Sequence, residues 1–130
     1  MTSTDASIKR ITLWYNSFLA MEATVSLDIK NGVVRYKSNF TDCMGLENSE
    51  GISLRSKQLL QQFAEYAKTT QVWEPYYGTG RCIDGYYWKL TIEFINGSTF
   101  ESSGENGKPK QFDEFVEKLE EVIEKPIAFK

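Results

Sequence analysis

The sequence predicts an α+β fold, in which a duplicated βββα unit forms a six-stranded, mostly antiparallel sheet with two helices packed on one face. Three observations lead to this prediction. Apolar and polar residues alternate in several short segments, two longer segments repeat apolar residues at helical spacing, and both halves show the same order. The 130 residues are 41% hydrophobic and 25% charged, which is typical of one globular domain. That domain spans residues 1–130, with pseudo-repeats at about 8–70 and 71–125.

The first half begins with three predicted strands. Residues 8–18 and residues 23–30 each alternate between apolar and polar side chains, as expected of strands that bury one face. Residues 33–38 continue the pattern as a third strand. Asn31-Gly32 separates the second strand from the third, and it predicts a type I′ turn, because both central residues of that turn need positive φ.

A loop and a helix complete the first half. Residues 39–52 are polar and contain glycine, which predicts a loop. A helix is predicted over about residues 54–68, with Ser53 as its N-cap. The apolar residues that recur there at helical spacing are Leu59, Leu60, Phe63, Ala64, Tyr66 and Ala67.

The strands of the second half follow the same order. Residues 71–77 look extended, and Pro75 predicts an edge strand or a bulge, because proline cannot donate to a ladder of hydrogen bonds. Residues 86–95 alternate as a strand. Asn96-Gly97 then predicts a second type I′ turn, and residues 99–102 form the return strand.

The last helix is predicted over about residues 110–124, and Pro126 ends it. A duplication is supported by the segment SLDIKNG at 26–32, which aligns without a gap with TIEFING at 91–97. Neither unit can bury its apolar sheet face and helix stripe by itself, so we expect one shared core. The stripe of the last helix consists of Phe112, Phe115, Val116, Leu119, Val122 and Ile123.

A longer motif, DGxxWxLxI…NG…GxNxxPxxFxxF, consists of Asp84-Gly85, Trp88, Leu90, Ile92, Asn96-Gly97, Gly104, Asn106, Pro109, Phe112 and Phe115. It resembles small, mostly uncharacterised bacterial proteins, often from Gram-positive organisms, in which a similar aromatic segment precedes the Asp-Gly. The resemblance covers the C-terminal half, supports the fold and implies no activity. Each position also suits a structural role, such as turn, core anchor or helix start. The motif is therefore predicted to specify the fold rather than chemistry.

Composition excludes several classes of function. The chain has no histidine, which excludes triads, zinc sites and pH switches that depend on imidazole. Its 15 basic and 18 acidic residues give a formal charge of −3, without the basic excess that is typical of nucleic-acid binders. No apolar run approaches the roughly 18–20 residues of a membrane span. Neither nucleic acid nor membrane is therefore a predicted partner.

Two cysteines, Cys43 and Cys82, are too few for a disulfide scaffold, and whether they pair is left open. Reduced thiols predict a cytoplasmic protein, although a secreted protein whose signal had been removed would have the same sequence. No cofactor is predicted. No metal site is predicted either, because Asp28, Asp84 and Glu93 are not concentrated in one loop as oxygen ligands normally are.

Three features were considered for catalysis. Gly78-Thr79-Gly80-Arg81 lacks the spacing of a phosphate-binding loop and does not open a helix, so it predicts a flexible turn. Cys43 has no histidine to activate it as a nucleophile. Asp28 and Glu93 occupy equivalent positions in the two hairpins and should point to the same face, where they could approach each other as an acid–base pair.

The sheet face away from the helices is predicted to carry aromatic and apolar side chains among polar ones. This mixture is common at protein interfaces, where aromatic residues are enriched among hot spots. The candidate binding residues are Arg10, Trp14, Asp28, Tyr87, Lys89, Glu93 and Ile95, accompanied by Thr12, Thr24, Ser26 and Thr91.

We therefore expect a small non-catalytic protein-binding domain. It would act as an inhibitor, immunity or adaptor protein, such as an anti-defence inhibitor encoded by a phage or mobile element. For this face, burial in a homodimer and simple solvation are the alternatives. The alternative function is a small-ligand-binding protein, or an enzyme that uses Asp28 and Glu93. Stacking of single-stranded nucleic acid is disfavoured by the acidic charge balance.

Overall fold

A computed structural model of the chain describes residues 7–17, 22–38, 49–78 and 85–124. The elements in these ranges are β1 (Ile8–Ser17), β2 (Glu22–Asp28), β3 (Val33–Ser38), β4 (Ser49–Leu54), α1 (Lys57–Ala67), a 3-10 turn (Lys68–Val72), β5 (Tyr76–Gly78), β6 (Tyr86–Phe94), β7 (Thr99–Glu105) and α2 (Phe112–Ile123).

One sheet contains strands from both halves of the chain, in the order β4-β3-β2-β1-β6-β7-β5. The predicted α+β class is confirmed. The prediction of six strands is wrong, because the described residues form seven. The sheet is also mixed, since β5 runs parallel to β7 whereas the other neighbours are antiparallel.

The extra strand is β4, which lies at one edge of the sheet, in a region predicted to be mostly loop. It pairs along its whole length with β3. Ile52 and Leu54 on this strand are 63% and 72% exposed, so they do not carry the inward-facing apolar pattern that marks a buried strand. Pairing with a distant segment, rather than a local pattern, makes β4 a strand.

The start of α1 differs from the prediction for the same reason. Leu54 is paired with Val33 in the sheet and cannot begin a helix. The N-cap is Ser56 rather than Ser53, and its hydroxyl accepts a hydrogen bond from the Leu59 N–H at 3.3 Å. The helix therefore begins three residues later than predicted, at Lys57.

Both predicted hairpins are present, but neither has the predicted type I′ turn. In each Asn-Gly pair, only the glycine has positive φ, at +69° for Gly32 and +94° for Gly97. The first turn closes with the Gly32 N–H donating to the Asp28 carbonyl at 3.0 Å. The second closes with the Gly97 N–H donating to the Phe94 carbonyl, also at 3.0 Å. These are longer loops that end on one left-handed glycine.

The connectivity of the sheet differs from that of two equivalent βββα units. A duplication would place β5 beside β6, as β1 lies beside β2. Instead β5 pairs with β7, and β1 lies in the centre between β2 and β6. The 3-10 turn after α1 leads the chain to the far edge of the sheet, where Pro75 precedes a strand of three residues. The edge position predicted from Pro75 is confirmed.

Both helices cover one face of the sheet. Alternate residues of the strands are buried there, as the period of two requires, and they meet the apolar stripes of α1 and α2. The rings of Phe63 on α1 and Phe115 on α2 lie 5.4 Å apart. The Arg55 guanidinium ties the two halves together, because it donates to the carbonyls of Val122 at 2.9 Å and Ile123 at 3.1 Å at the end of α2.

Trp88 on β6 is the largest fully buried side chain among the described residues, at 1% exposure. Its indole N–H donates to the Gly107 carbonyl at 2.8 Å, and its ring lies 4.8 Å from that of Phe112. A Cβ added at Gly104 would clash with both the indole and the Gly107 carbonyl. The close approach predicted at Gly104 is therefore present, and these motif residues have structural roles.

Asn106 holds the chain between β7 and α2 in a sharp bend. It has φ of +57°, and its N–H donates to the Tyr86 carbonyl at 2.9 Å. Its side-chain oxygen accepts from the Tyr86 N–H at 3.0 Å. Asparagine tolerates the left-handed region better than most residues, and its amide here bonds the backbone as the motif predicts.

We predict that Gly104→Ala lowers the free energy of unfolding by about 1–3 kcal/mol, because the new methyl group must displace the indole or the backbone beside it. Chemical denaturation monitored by tryptophan fluorescence measures this. Gly51→Ala is the matched control, since a Cβ at Gly51 on edge strand β4 meets nothing within 4 Å. Equal losses of stability in the two variants would contradict the conclusion that Gly104 makes room for the packing of Trp88.

Candidate functional site

The sheet face opposite the helices carries side chains that are all partly or fully exposed, and we call it the open face. The open face consists of Arg10, Thr12, Trp14, Asn16, Glu22, Thr24, Ser26, Asp28, Val33, Arg35, Lys37, Ile52, Leu54, Tyr87, Lys89, Thr91, Glu93, Thr99, Glu101, Ser103 and Glu105.

Six of the seven candidate binding residues lie on the open face. Arg10 on β1 is directly opposite both Asp28 on β2 and Glu93 on β6. The other three are Trp14, Tyr87 and Lys89, and Trp14 is opposite Lys89. Ile95 was placed on this face as well, but β6 ends at Phe94, and Ile95 lies in the turn that follows.

Arg10 forms the electrostatic centre of the open face. Its guanidinium lies 3.6 Å from the Glu93 carboxylate. The Asp28 carboxylate accepts hydrogen bonds from Asn31, at 2.9 Å from the side-chain amide and 3.2 Å from the backbone N–H. These bonds, with a smaller contribution from the charge of Arg10, hold the pKa of Asp28 below its ordinary value.

The two carboxylates do not form a close pair. Asp28 and Glu93 lie on the strands that flank β1, so two inter-strand spacings, roughly 10 Å, separate their backbones. Arg10 lies between them. A general acid needs a raised pKa, whereas that of Asp28 is lowered. The arrangement is that of two carboxylates kept apart by an arginine that lies between them.

A shallow depression of about 300 Å³ lies on the open face over β1, β2 and β3. It is lined by Arg10, Ser26, Asp28, Val33 and Arg35. Arg35 is not among the predicted binding residues, because the predicted face does not extend to β3. The signal was present, since buried Val34 and Tyr36 alternate with exposed Arg35 and Lys37 along that strand.

Aromatic side chains occupy the other half of the open face. Trp14 lies on the central strand, and its indole N–H donates to the Glu22 carboxylate. Tyr87 on β6 is 38% exposed. Tyr76 on edge strand β5 pairs with Ser103 of the open face, is 54% exposed, and its hydroxyl donates to the Glu105 carboxylate at 3.1 Å. Apolar rings are thus presented to solvent among charged groups.

The charges of the open face are unevenly distributed across the strands. Arg35 and Lys37 are on β3, two strands from the centre, and neither forms an ion pair with a residue whose side chain the structure describes. Glu101 and Glu105 are on β7, two strands away on the other side. Glu101 lies 3.8 Å from Lys89 in an exposed pair. The open face is therefore basic toward β3 and acidic toward β7.

Several features considered in the sequence lie outside the described residues. These are both cysteines, Asp84 and the segment that follows Gly78 in Gly78-Thr79-Gly80-Arg81. Within the described ranges, no cluster of three or more cysteine or acidic side chains could hold a metal ion. None of the helices in those ranges has the length and apolar character needed to cross a membrane.

Comparison with models of known protein families finds no match to this chain, and a search of curated proteins finds no significant relative. The resemblance to small bacterial proteins therefore stays a prediction.

We predict that Asn31→Ala raises the pKa of Asp28 toward its ordinary value, because the amide that stabilises the ionised carboxylate is removed. NMR titration of the Asp28 carboxyl carbon measures this. In the wild type, the stabilisation from this carboxylate is present above its unfolded-state pKa and is lost as the pH falls through the folded-state value. Asn96→Ala in the other hairpin is the control and should leave Asp28 unchanged, since Asn96 bonds Ser98.

Proposed function

We propose that this chain is a non-catalytic, cytoplasmic protein-binding domain of the inhibitor, immunity or adaptor kind, such as one encoded by a phage or mobile element. Its partner binds at the open face. The observation that carries the proposal is the presence of a partly exposed tryptophan, Trp14, on the central strand of a sheet whose other face is buried under two helices.

The composition of the open face supports this proposal. Binding hot spots are enriched in Trp, Tyr and Arg and lie near the centre of an interface. Trp14 and Arg10 are on β1, the central strand, and Tyr87 is on the strand beside it. Since β1 is hydrogen-bonded to a neighbour on each side, these side chains project from a rigid support, which reduces the entropy cost of binding.

The geometry of the carboxylates also favours binding over catalysis. Asp28 is held in its ionised form, and Arg10 lies between it and Glu93. Such an arrangement neither stores a proton for a general acid nor brings two carboxylates together around one bond. It supplies fixed charges, which in interfaces set the orientation of a partner and speed its association.

A second candidate function is supported by the depression beside Arg10. Its volume of about 300 Å³ is at the lower end for small-ligand sites, and two guanidinium groups suit a carboxylate or phosphate. Binding of such an anion would be seen as NMR shifts confined to Arg10, Ser26 and Arg35. Arg35→Ala should abolish those shifts if this candidate is correct.

We predict that Trp14→Ala and Tyr87→Ala each weaken the affinity for the protein partner by about 30-fold, the loss of a typical hot spot. The partner is first captured from the source cell by cross-linking, then purified, and binding is measured by calorimetry. Tyr87 is 38% exposed on the open face.

Leu59→Ala is the matched control for Tyr87→Ala, because Leu59 has the same 38% exposure but lies on α1. It should leave the affinity unchanged. Thermal unfolding of each variant separates loss of binding from loss of fold. A partner that binds all three variants as tightly as the wild type would overturn the assignment of the open face.

A further inference from the structure

We propose that Asn96 is a site of spontaneous covalent modification, at which the side-chain amide is lost and aspartate or isoaspartate remains. The site lies in the turn between β6 and β7, outside the open face, so the inference goes beyond the proposed function. The chain contains three Asn-Gly pairs, at Asn31-Gly32, Asn96-Gly97 and Asn106-Gly107. Asparagine is chemically labile, and a following glycine hinders the reaction least because it has no side chain. The structure distinguishes the three pairs by their surroundings.

The reaction needs only the chain and water. The backbone nitrogen of Gly97 attacks the side-chain carbonyl carbon of Asn96, a new C–N bond closes a succinimide ring, and the bond to the amide nitrogen breaks. That nitrogen leaves as ammonia and takes the proton of the glycine N–H. Water then adds to either ring carbonyl. The ring opens to aspartate or to isoaspartate, in which the main chain passes through the side-chain carbons.

The Asn96 side chain is arranged for attack at its carbonyl carbon. Its oxygen accepts hydrogen bonds from the Ser98 N–H at 2.8 Å and from the Ser98 hydroxyl at 2.6 Å. Donors in these positions withdraw electron density from the carbonyl carbon and stabilise the negative charge that the oxygen gains during attack. The amide nitrogen, which must leave, donates to no residue that the structure describes.

The attacking nitrogen lies in an open part of the turn. Asn96 and Gly97 are both exposed, and a Cβ added at Gly97 would meet no atom within 4 Å. The Gly97 N–H donates to the Phe94 carbonyl at 3.0 Å, and this bond must open before the nitrogen can attack. Exposed turns open locally at a low free energy, and the released groups bond to water instead.

Asn31-Gly32 is the same dipeptide in the equivalent hairpin, but its amide is held. The Asn31 amide nitrogen donates to the Asp28 carboxylate at 2.9 Å. Donation to a carboxylate makes the amide more electron-rich, so its carbonyl carbon is a poorer electrophile, and rotation of the side chain breaks a charge-assisted bond. Glu93 aligns with Asp28 in the other hairpin, but its carboxylate pairs with Arg10 instead.

The glycines of the other two pairs are also restrained. Gly32 is buried, and its carbonyl accepts from the Arg55 N–H at 2.8 Å. The Gly107 carbonyl accepts from the Trp88 indole N–H, and a Cβ at Gly107 would lie 2.9 Å from the Gly78 nitrogen. Ring closure rotates the peptide group of the glycine, which at these positions disturbs the sheet or the core. The pair between β6 and β7 is therefore the reactive one.

The modification changes the end of the β6–β7 hairpin. Isoaspartate lengthens the main chain, so the geometry that joins the Phe94 N–H to the Ser98 carbonyl at 2.9 Å is lost. Either product also adds a negative charge beside β7, which already carries Glu101 and Glu105. The aged chain should therefore separate from the fresh chain by ion-exchange chromatography, and its isoaspartate form should unfold at a lower temperature.

The test compares the three sites within one sample of the full chain. The protein is incubated at mildly alkaline pH and physiological temperature, and loss of each amide is followed by peptide mapping and mass spectrometry. Asn96 should react at least about tenfold faster than Asn31, the effect on a rate of one hydrogen bond to a charged group. It should also react faster than Asn106. In urea the three rates should become similar, because the contacts that distinguish the pairs are lost.

Two variants assign the cause. Asp28→Ala removes the acceptor of the Asn31 amide, so it should speed the reaction at Asn31 about tenfold while the rate at Asn96 in the same molecule stays unchanged. Asn96→Gln is the control for the site, because the longer side chain must close a larger ring. It should abolish the fast reaction and leave the two slow ones as they are.

Equal rates at Asn31 and Asn96 in the folded wild type would overturn the inference, and this comparison needs no variant. So would a difference between these two sites that persists in urea, because folding would then not be its cause. A folded Asp28→Ala chain in which Asn31 stays slow would have the same consequence. If that variant does not fold, its Asn96 rate will match the wild type in urea, and the wild-type comparison decides.

Discussion

The packing of Trp88 is the interaction on which the rest of the structure depends. Five parts of the chain meet at this one side chain. They are its own strand, β7 through Gly104, the turn before α2 through Gly107, α2 through Phe112, and the segment before β5 through Trp73, whose ring lies 5.8 Å away at a right angle. These contacts hold α2 against the same face of the sheet that α1 covers. The opposite side is left to solvent, and the open face results from that one-sided burial.

The central position of β1 gives the open face its organisation. Because β1 is paired on both sides, its side chains occupy the middle of a seven-stranded surface, and β3 and β7, each two strands away from it, carry opposite charges. Arg10 forms an ion pair with Glu93 on one neighbouring strand and contributes a smaller share to the low pKa of Asp28 on the other, while the basic and acidic strands lie farther out. Fixed charges of this kind would set the orientation of the partner that we propose for this surface.

Local patterns predicted the parts of the structure that depend on burial of one face. The alternation along β1, β2 and β6 and the stripe of α2 follow from the periods of strand and helix, so their inward-facing residues could be read in advance. The same alternation located six of the seven candidate binding residues on the open face. The turn types predicted from two Asn-Gly pairs were wrong. Asn31-Gly32 and Asn96-Gly97 do mark hairpins, but their turns are longer than type I′. Loop length depends on the register of the paired strands.

The sequence by itself determined the fold class, the buried stripes, the identity of Trp88 as a core anchor and the mixed chemistry of the exposed side. These properties depend on residues that are close together in the chain. Only the tertiary structure decided that Ser49–Leu54 is a strand, that β5 joins β7, and that Arg35 and Glu101 stand at equal heights on opposite sides of β1. Such facts depend on which distant strands become neighbours and in which register. Strand neighbours and register are determined by the free energy of the whole assembled sheet, and no single segment determines them by itself.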